Sequence, residues 1–167
     1  FEESIAIPLI VRDPARPDLA GRVIGEPVGT EDLYPTICGL AGISPHQSVP
    51  GADLTPLIRG ERDGLERAGI LLENVHEFRP PGAFYRHSFR GIRTRRWKYT
   101  VLSGPDGVGP WQLFDLGEDP FEMENLAARP EHRERVVELH GELGELLKNT
   151  EDHFILPGPE ECAWPYC

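Results

Sequence analysis

The stretch FRGIRTRRWKYTVLSGPDGVGPWQLFDL, residues 89–116, decides the fold of this chain. It holds three short runs enriched in aromatic and β-branched residues, at 89–94, 97–102 and 111–116. A further run of this kind, GILLENV, precedes them at 69–75. Because turn-forming residues separate the last two runs, the pattern predicts a small antiparallel sheet of about four strands.

The middle run also predicts which side of the sheet meets water. Trp97, Tyr99 and Val101 share one face, whereas Lys98 and Thr100 point the other way. An antiparallel sheet commonly packs one face on the core and leaves the other solvated. We therefore expect Lys98 and Thr100 on the wet face.

A long amphipathic helix is predicted after the sheet. Pro130 marks its start and Lys148 lies in its last turn, as the helix dipole favours. Gly141 and Gly144 weaken it, so packing against the sheet must hold it in place. Its apolar stripe consists of Val136, Leu139, Leu143, Leu146 and Leu147. Sheet and helix together predict an α+β fold.

The residues before the sheet have a different pattern. The run IAIPLIV at 5–11 is almost uniformly apolar, which is typical of a strand covered on both faces. Residues 30–43 predict a short buried helix, with Asp32 as N-cap and Gly42 as its C-terminal stop. A smaller helical turn is predicted at 53–60.

Composition excludes some classes of partner. The chain has 167 residues, 28 of them acidic and 17 basic, and a formal net charge of −11. Such a field repels polyanions and disfavours nucleic-acid binding. No stretch approaches the roughly 18 apolar residues that span a bilayer. We expect neither nucleic acid nor membrane as a partner.

No complete catalytic or metal-binding constellation is visible. The six histidines are scattered, and no Cys–His cluster has the spacing of a zinc site. Cys162 and Cys167 are close enough in sequence for a disulfide, which the sequence leaves open. One span is rich in cations: Arg86, Arg90, Arg93, Arg95, Arg96 and Lys98. These side chains suit an oxyanion, or else a solvated sheet face that discourages aggregation.

Four stretches, taken in order, resemble the C-terminal third of a sulfatase, in the alkaline phosphatase superfamily. They are FEESIAIPLIVR, TEDLYPTICGLAGISPHQSVPGADLTPLIRG, RGIRTRRWKYTV and LFDLGEDPFEMENLA. The resemblance is to N-sulfoglucosamine sulfohydrolase-like and aryl sulfatases. It implies that residues 1–60, with a strand and short helices, end a truncated large α/β domain. Residues 61–148 would form the small sheet-and-helix subdomain, followed by a tail at 149–167.

The resemblance implies that the full-length parent hydrolyses sulfuric esters, such as those of sulfated sugars. Sulfatases use calcium and a formylglycine made from a cysteine in a C-x-P/A-x-R motif. None of the three cysteines here lies in that motif. We therefore expect nucleophile and calcium upstream of Phe1, no catalytic or metal residue in this segment, and no activity of the segment alone. Its partners would be the large domain and a sulfated small molecule or saccharide.

The span HEFRPPGAFYRHSFR, residues 76–90, lies between two predicted strands and departs from any fixed sulfatase pattern. Loops on a rigid sheet commonly carry specificity. One hypothesis is that His76, Arg86 and His87 approach the leaving group of the substrate. The other is a surface loop ordered by its own aromatic residues.

Two other functions remain open. The chain resembles, less closely, the C-terminal region of a phosphodiesterase or phosphonate monoester hydrolase of the same superfamily. A non-catalytic binding module that kept this sheet is the third possibility.

Overall fold

The computed structural model of this chain describes residues 2–46, 49–74, 88–104 and 107–162. It comprises two compact units, Phe1–Arg67 and Ala68–Cys167. Within the described ranges, no helix is long and apolar enough to cross a membrane.

The first unit is built from short helices. They are α1 (Glu2–Ile5), α2 (Leu33–Ala41) and α3 (Thr55–Ile58), with 3-10 turns at Pro17–Leu19 and Thr30–Asp32. The helix predicted within 30–43 and the helical turn predicted within 53–60 are both present.

The prediction of a strand at residues 5–11 is wrong. A helical turn occupies the start of this run, where the Ala6 amide donates to the Glu2 carbonyl at 2.7 Å. The rest of the run pairs with no strand in the described part of the chain. Ile10 is 90% exposed. An apolar run becomes a strand only when a neighbouring strand accepts and donates its backbone hydrogen bonds.

Asp32 does not cap α2 through its side chain, contrary to the sequence expectation. Its carboxylate is fully buried and accepts from the amides of Gly29 and Ala52, both at 2.8 Å. The Arg67 guanidinium donates to both of its oxygens, at 2.9 and 2.6 Å. Burial acts to raise the pKa of Asp32, but these hydrogen bonds outweigh it and the pKa is lowered. Asp32 therefore ties together three distant segments of this unit.

Helix α2 ends as predicted, but only some of its apolar residues are buried. Gly42 has a left-handed φ of 71° and follows the last helical residue. Cys38 is buried, as expected for a small core residue. Leu33 and Ile37, two apolar residues of this helix, are exposed, so the helix is less buried than the sequence predicts.

The second unit contains the predicted sheet. Its strands are β1 (Ile70–Asn74), β2 (Phe89–Arg93), β3 (Trp97–Gly104) and β4 (Gly107–Asp115), in the order β1-β2-β3-β4 and antiparallel throughout. A 3-10 turn at Pro130–His132 leads into α4 (Arg133–Asn149). The α+β fold, with four antiparallel strands and a C-terminal helix, is confirmed.

The core of the second unit lies between α4 and one face of the sheet. The helix contributes the predicted stripe, of which Val136, Leu139, Leu143 and Leu147 are buried. The facing sheet residues are also buried: Ile92, Tyr99, Val101 and Leu113. Packing of this helix on the sheet is therefore confirmed.

The opposite face of the sheet is not wet, contrary to the expectation for Lys98 and Thr100. Both residues are buried. Lys98 forms an ion pair with Glu122, and the two side chains are 3% and 1% exposed. The Lys98 ammonium also lies 5.4 Å from the centre of the Phe114 ring. A charged residue in an alternating strand pattern either faces water or pairs with a buried opposite charge. Lys98 does the second, because Glu122 supplies the opposite charge.

Candidate functional site

The predicted substrate-facing residues belong to the connection between β1 and β2, which follows the last residue of β1 and precedes the first residue of β2. Asn74 and Phe89 form the last pair of this hairpin. The chain between them carries His76, Arg86 and His87, and these three residues lie outside the described part of the chain. The structure describes the four residues on which this connection is mounted, here called the hairpin base: Glu73, Asn74, Phe89 and Arg90.

Arg90 is the most constrained side chain of the hairpin base. Its Nε donates to Asp152 Oδ2 at 2.5 Å, and its Nη2 donates to Oδ1 at 3.1 Å. Its Nη1 donates to the carbonyl of Phe89 at 3.1 Å. Arg90 and Asp152 side chains are each 9% exposed. A bidentate guanidinium–carboxylate pair with little exposure fixes both position and orientation.

Two aromatic contacts support the same end of the sheet. The Phe154 ring lies 5.1 Å from the Arg90 guanidinium carbon, within cation–π range. The rings of Phe89 and Trp111 are 5.9 Å apart and tilted. The hydrogen bond from Arg90 also holds the pKa of Asp152 below its usual range. The hairpin base is therefore a rigid mount with its charges balanced internally.

A second Arg–Asp pair lies at the other end of the sheet. Arg96 donates to Asp115 through Nε at 2.7 Å and through Nη2 at 2.6 Å. Asp115 pairs with Trp97 where β3 begins, away from the hairpin base. The Arg96 hydrogen bond lowers the pKa of Asp115. Its geometry matches that of Arg90–Asp152, but it does not support the connection between β1 and β2.

The basic span is not simply a solvated face. Arg90 and Lys98 are buried against carboxylates, and Arg96 is bound to Asp115. Arg93 donates to the carbonyl of Thr94. These contacts commit Arg90, Lys98 and Arg96 to partners within the chain. Arg86 lies outside the described residues, so an oxyanion role for it stays a prediction.

Sequence reasoning treated His140 as one of six scattered histidines, and the structure places it in a buried cluster. His140 Nε2 lies 2.8 Å from the Pro157 carbonyl, and its Nδ1 lies 2.9 Å from the Tyr99 hydroxyl. A carbonyl only accepts, so Nε2 carries the proton and Nδ1 accepts from Tyr99. Cys162 Sγ is 3.9 Å from Nε2. The apolar spacing of α4 gave no sign of this cluster, because its partners are 41, 17 and 22 residues away.

The cluster is suited to structure and not to nucleophilic chemistry. Burial lowers the pKa of His140 and raises the pKa values of Tyr99 and of the Cys162 thiol. The groups are therefore held neutral, whereas an activated thiol needs a lowered pKa. Cys162 is buried, and Cys167 lies outside the described residues, so the pairing of these two cysteines stays open.

The described carboxylates do not fit a calcium site. Within residues 2–46, 49–74, 88–104 and 107–162, no group of three or more His, Cys, Asp or Glu is arranged to hold a metal ion. The buried acidic side chains are bound to cations instead: Asp32 to Arg67, Asp115 to Arg96, Asp152 to Arg90 and Glu122 to Lys98. Calcium needs six to eight oxygen ligands, so these committed carboxylates are poor donors for it.

Comparison with known proteins gives the relationship of this chain. The ulvan-active sulfatase of Formosa agariphila is 29% identical over 154 residues, which cover 92% of this chain and 29% of that relative. A protein solved in complex with its substrate D-glucosamine-2-N,6-O-disulfate superposes with a TM-score of 0.61 at 25% identity. That match covers 78% of this chain and 25% of the solved chain.

A third similar structure is the phosphonate monoester hydrolase of Agrobacterium radiobacter, with a TM-score of 0.60 and 27% identity. It covers 86% of this chain and 29% of that protein. The chain thus spans between a quarter and three tenths of the length of these three proteins.

The family model described as N-sulphoglucosamine sulphohydrolase, C-terminal, matches residues 1–149, which include every strand and helix described above. The chain therefore belongs to this C-terminal sulfatase family.

Proposed function

We propose that this chain is the C-terminal part of a sulfatase that hydrolyses the sulfuric esters of sulfated sugars. The observation that carries the proposal is the family match over residues 1–149 on a sheet-and-helix fold of the expected type. A structural neighbour whose substrate is D-glucosamine-2-N,6-O-disulfate supports a sulfated saccharide as the substrate class.

In this proposal the chain forms part of the substrate wall and does not cleave the bond. Asp152, Asp115 and Glu122 are committed to internal ion pairs, and burial raises the pKa of the Cys162 thiol. The calcium and the formylglycine nucleophile, which would activate the sulfate group and attack it, belong to residues outside the chain. No residue of the described ranges is assigned to either.

The residues proposed to meet the leaving group are His76, Arg86 and His87. Their support is the hairpin base, where Arg90 is held by Asp152. A mount of this rigidity keeps a binding loop in register with a substrate. A sulfated sugar offers hydroxyl and sulfate oxygens, which imidazole and guanidinium N–H groups bind well.

The large domain is the proposed partner of the first unit. Several large apolar side chains of that unit are exposed, among them Ile7, Ile10, Leu33, Ile37 and Ile43. Apolar exposure on this scale commonly marks an interaction surface. The relatives are more than three times as long as this chain, which supports a larger body of the same polypeptide as the occupant.

A phosphonate monoester hydrolase is the second candidate, favoured by the structural neighbour whose match covers 86% of this chain.

The experiment that decides between the candidates uses the complete protein that contains this chain. Its turnover is measured on glucosamine 6-sulfate, on an aryl sulfate and on an aryl phosphonate monoester. Preference for the sulfates supports the proposal, and preference for the phosphonate supports the second candidate. If none of the three substrates is turned over, the result favours the third possibility, a non-catalytic binding module.

The proposed substrate contacts are tested in the same protein. Arg86→Ala and His87→Ala are expected to lower kcat/KM for the sulfated sugar. Arg62→Ala serves as the control, because Arg62 is 59% exposed and lies in the other unit. Unchanged kcat/KM for both Arg86→Ala and His87→Ala would remove these residues from the site.

A further inference from the structure

The chain beyond α4 folds back onto the core of the second unit. It reverses at Glu151, whose φ of 54° is left-handed. Phe154 and Leu156 then pack against the core that the helix and the sheet enclose. We call residues 150–162 the post-helix segment. Its first residues are fixed by the Asp152–Arg90 pair described above.

The later part of the post-helix segment is joined to α4 and β3 through one imidazole. His140 Nε2 donates to the Pro157 carbonyl at 2.8 Å, and its Nδ1 accepts from the Tyr99 hydroxyl at 2.9 Å. Cys162 Sγ lies 3.9 Å from Nε2. His140 and Cys162 are 3% and 8% exposed. A single buried side chain therefore bridges the sheet and the post-helix segment.

The groups that face this ring suit a neutral imidazole. In the part of the chain that the structure describes, its polar neighbours are a hydroxyl, a carbonyl and a thiol. Burial raises the pKa values of Tyr99 and Cys162, so neither group offers a negative charge near neutral pH. A proton on Nδ1 would also point at the Tyr99 oxygen, whose own hydrogen now lies on that line. Protonation of His140 therefore disfavours the closed arrangement.

The charged groups around the post-helix segment do not supply a counter-charge for this ring. Both Asp152 oxygens accept from Arg90, and these hydrogen bonds lower the pKa of Asp152, so it stays ionised and paired between pH 7.5 and 5.5. Glu161 adds to the raised pKa of Cys162, but Glu161 and His153 are exposed, where water and salt screen their charges.

We propose that His140 is a pH-sensitive switch, which holds residues 154–162 closed on the core while it is neutral and releases them when it is protonated. The inference does not depend on the proposed function. Release brings the ring into water, where its charge is hydrated, whereas protonation of the closed form buries an unpaired charge.

The direction of the switch follows from linkage. Burial lowers the pKa of His140 from 6.5 in the closed form, whereas the ring regains its ordinary pKa when the segment is open. The open form therefore binds the proton more readily, and opening must increase as the pH falls through 6.5.

Release of this segment costs less than unfolding of the whole unit. Its apolar contacts with the core come from Phe154 and Leu156, which are only partly buried, and Ile155 between them is 83% exposed. The Glu161 amide donates to the Gly158 carbonyl at 2.9 Å, which is a local turn and not a bond to the sheet. Segments with few buried contacts open at a lower free energy than the core.

The experiment is amide hydrogen exchange in the complete protein between pH 7.5 and 5.5, with each rate corrected for the intrinsic effect of pH. Opening of residues 154–162 is expected to increase by up to about tenfold over this range, whereas β3 keeps its protection. His140→Gln offers a donor to Pro157 and an acceptor to Tyr99 but cannot titrate, so it should abolish the increase. His153→Gln is the matched control, because His153 is an exposed histidine of the same segment, and it should leave the increase unchanged.

The switch is refuted if opening in the wild-type protein does not change with pH, or if His140→Gln retains the full increase. Loss of the increase in His153→Gln, or equal loss of protection in β3, also contradicts it. Should His140→Gln not fold, Tyr99→Phe gives a second test, since it removes the donor to Nδ1 in the closed form. Opening at pH 7.5 should then rise about fivefold, and unchanged opening would exclude this cluster as the closing contact.

Discussion

The buried Lys98–Glu122 pair gives the strongest stability prediction. The two side chains are 3% and 1% exposed, so each charged group has lost its contact with water and interacts with the opposite charge of its partner instead. Removing one partner of such a pair leaves an uncompensated charge in the interior and costs about 3–5 kcal/mol. We therefore expect Lys98→Met and Glu122→Gln each to lower the free energy of unfolding by about that amount.

The double variant tests whether this cost comes from the unpaired charge. Replacing both partners of a buried pair by apolar residues of similar size is often neutral or stabilising. Met at position 98 would also keep contact with the Phe114 ring, which now lies 5.4 Å from the Lys98 ammonium. Lys98→Met/Glu122→Met should therefore recover most of the stability that either single change loses.

The assay is equilibrium unfolding in guanidinium chloride, followed by tryptophan fluorescence, since Trp97 and Trp111 belong to the same unit as the Lys98–Glu122 pair. Glu138→Gln is the control, because Arg135 and Glu138 form an ion pair whose side chains are 38% and 54% exposed. Breaking this exposed pair should cost less than about 1 kcal/mol. Single variants at Lys98 and Glu122 that cost no more than the control would refute the reasoning.

Three further changes test the helices and the histidine cluster. Burial lowers the pKa of His140 from 6.5, so the unfolded chain binds the proton more readily, and stability should fall as the pH drops below 6.5. Urea unfolding between pH 7.5 and 5.5 should show the free energy of unfolding falling with pH, by at most about 1.4 kcal/mol per pH unit. His140→Gln should reduce this slope, and an unchanged slope would exclude His140 as the cause. Gly42→Ala forces a side chain into a left-handed φ of 71° and should destabilise by about 1–2 kcal/mol in the same assay. Gly141→Ala meets no atom within 4 Å in α4 and should stabilise by about 0.5–1 kcal/mol, and destabilisation by it would contradict that view of the helix.

The elements with strong local patterns were predictable from sequence. The runs around β1–β4 and the stripe of α4 have the periods that sheet and helix require, and all five elements form, although β4 begins at Gly107, four residues before its predicted run. Gly42 ends α2 because a left-handed residue closes a helix most easily when it lacks a Cβ. These features depend on residues within a few positions of one another.

Features that depend on distant partners were not predictable. Residues 5–11 have the composition of a strand, but no described strand pairs with them. Asp32 has the position of a helix cap, yet its carboxylate binds Ala52 and Arg67, 20 and 35 residues away. The candidate site was predictable only as a connection between two strands, because His76, Arg86 and His87 carry no local pattern that fixes their contacts.

The amino-acid sequence by itself determined the sheet, the helix packed on it and the family, because periodicity and ordered motifs are local properties of the chain. The tertiary structure decided which polar residues are buried and whom they bind. Lys98 became a core residue because Glu122, from the loop after β4, supplies a counter-charge. Arg90 became the support of the hairpin base because Asp152 returns to it from beyond α4. A charge enters the interior only with a partner, and chain topology chooses that partner.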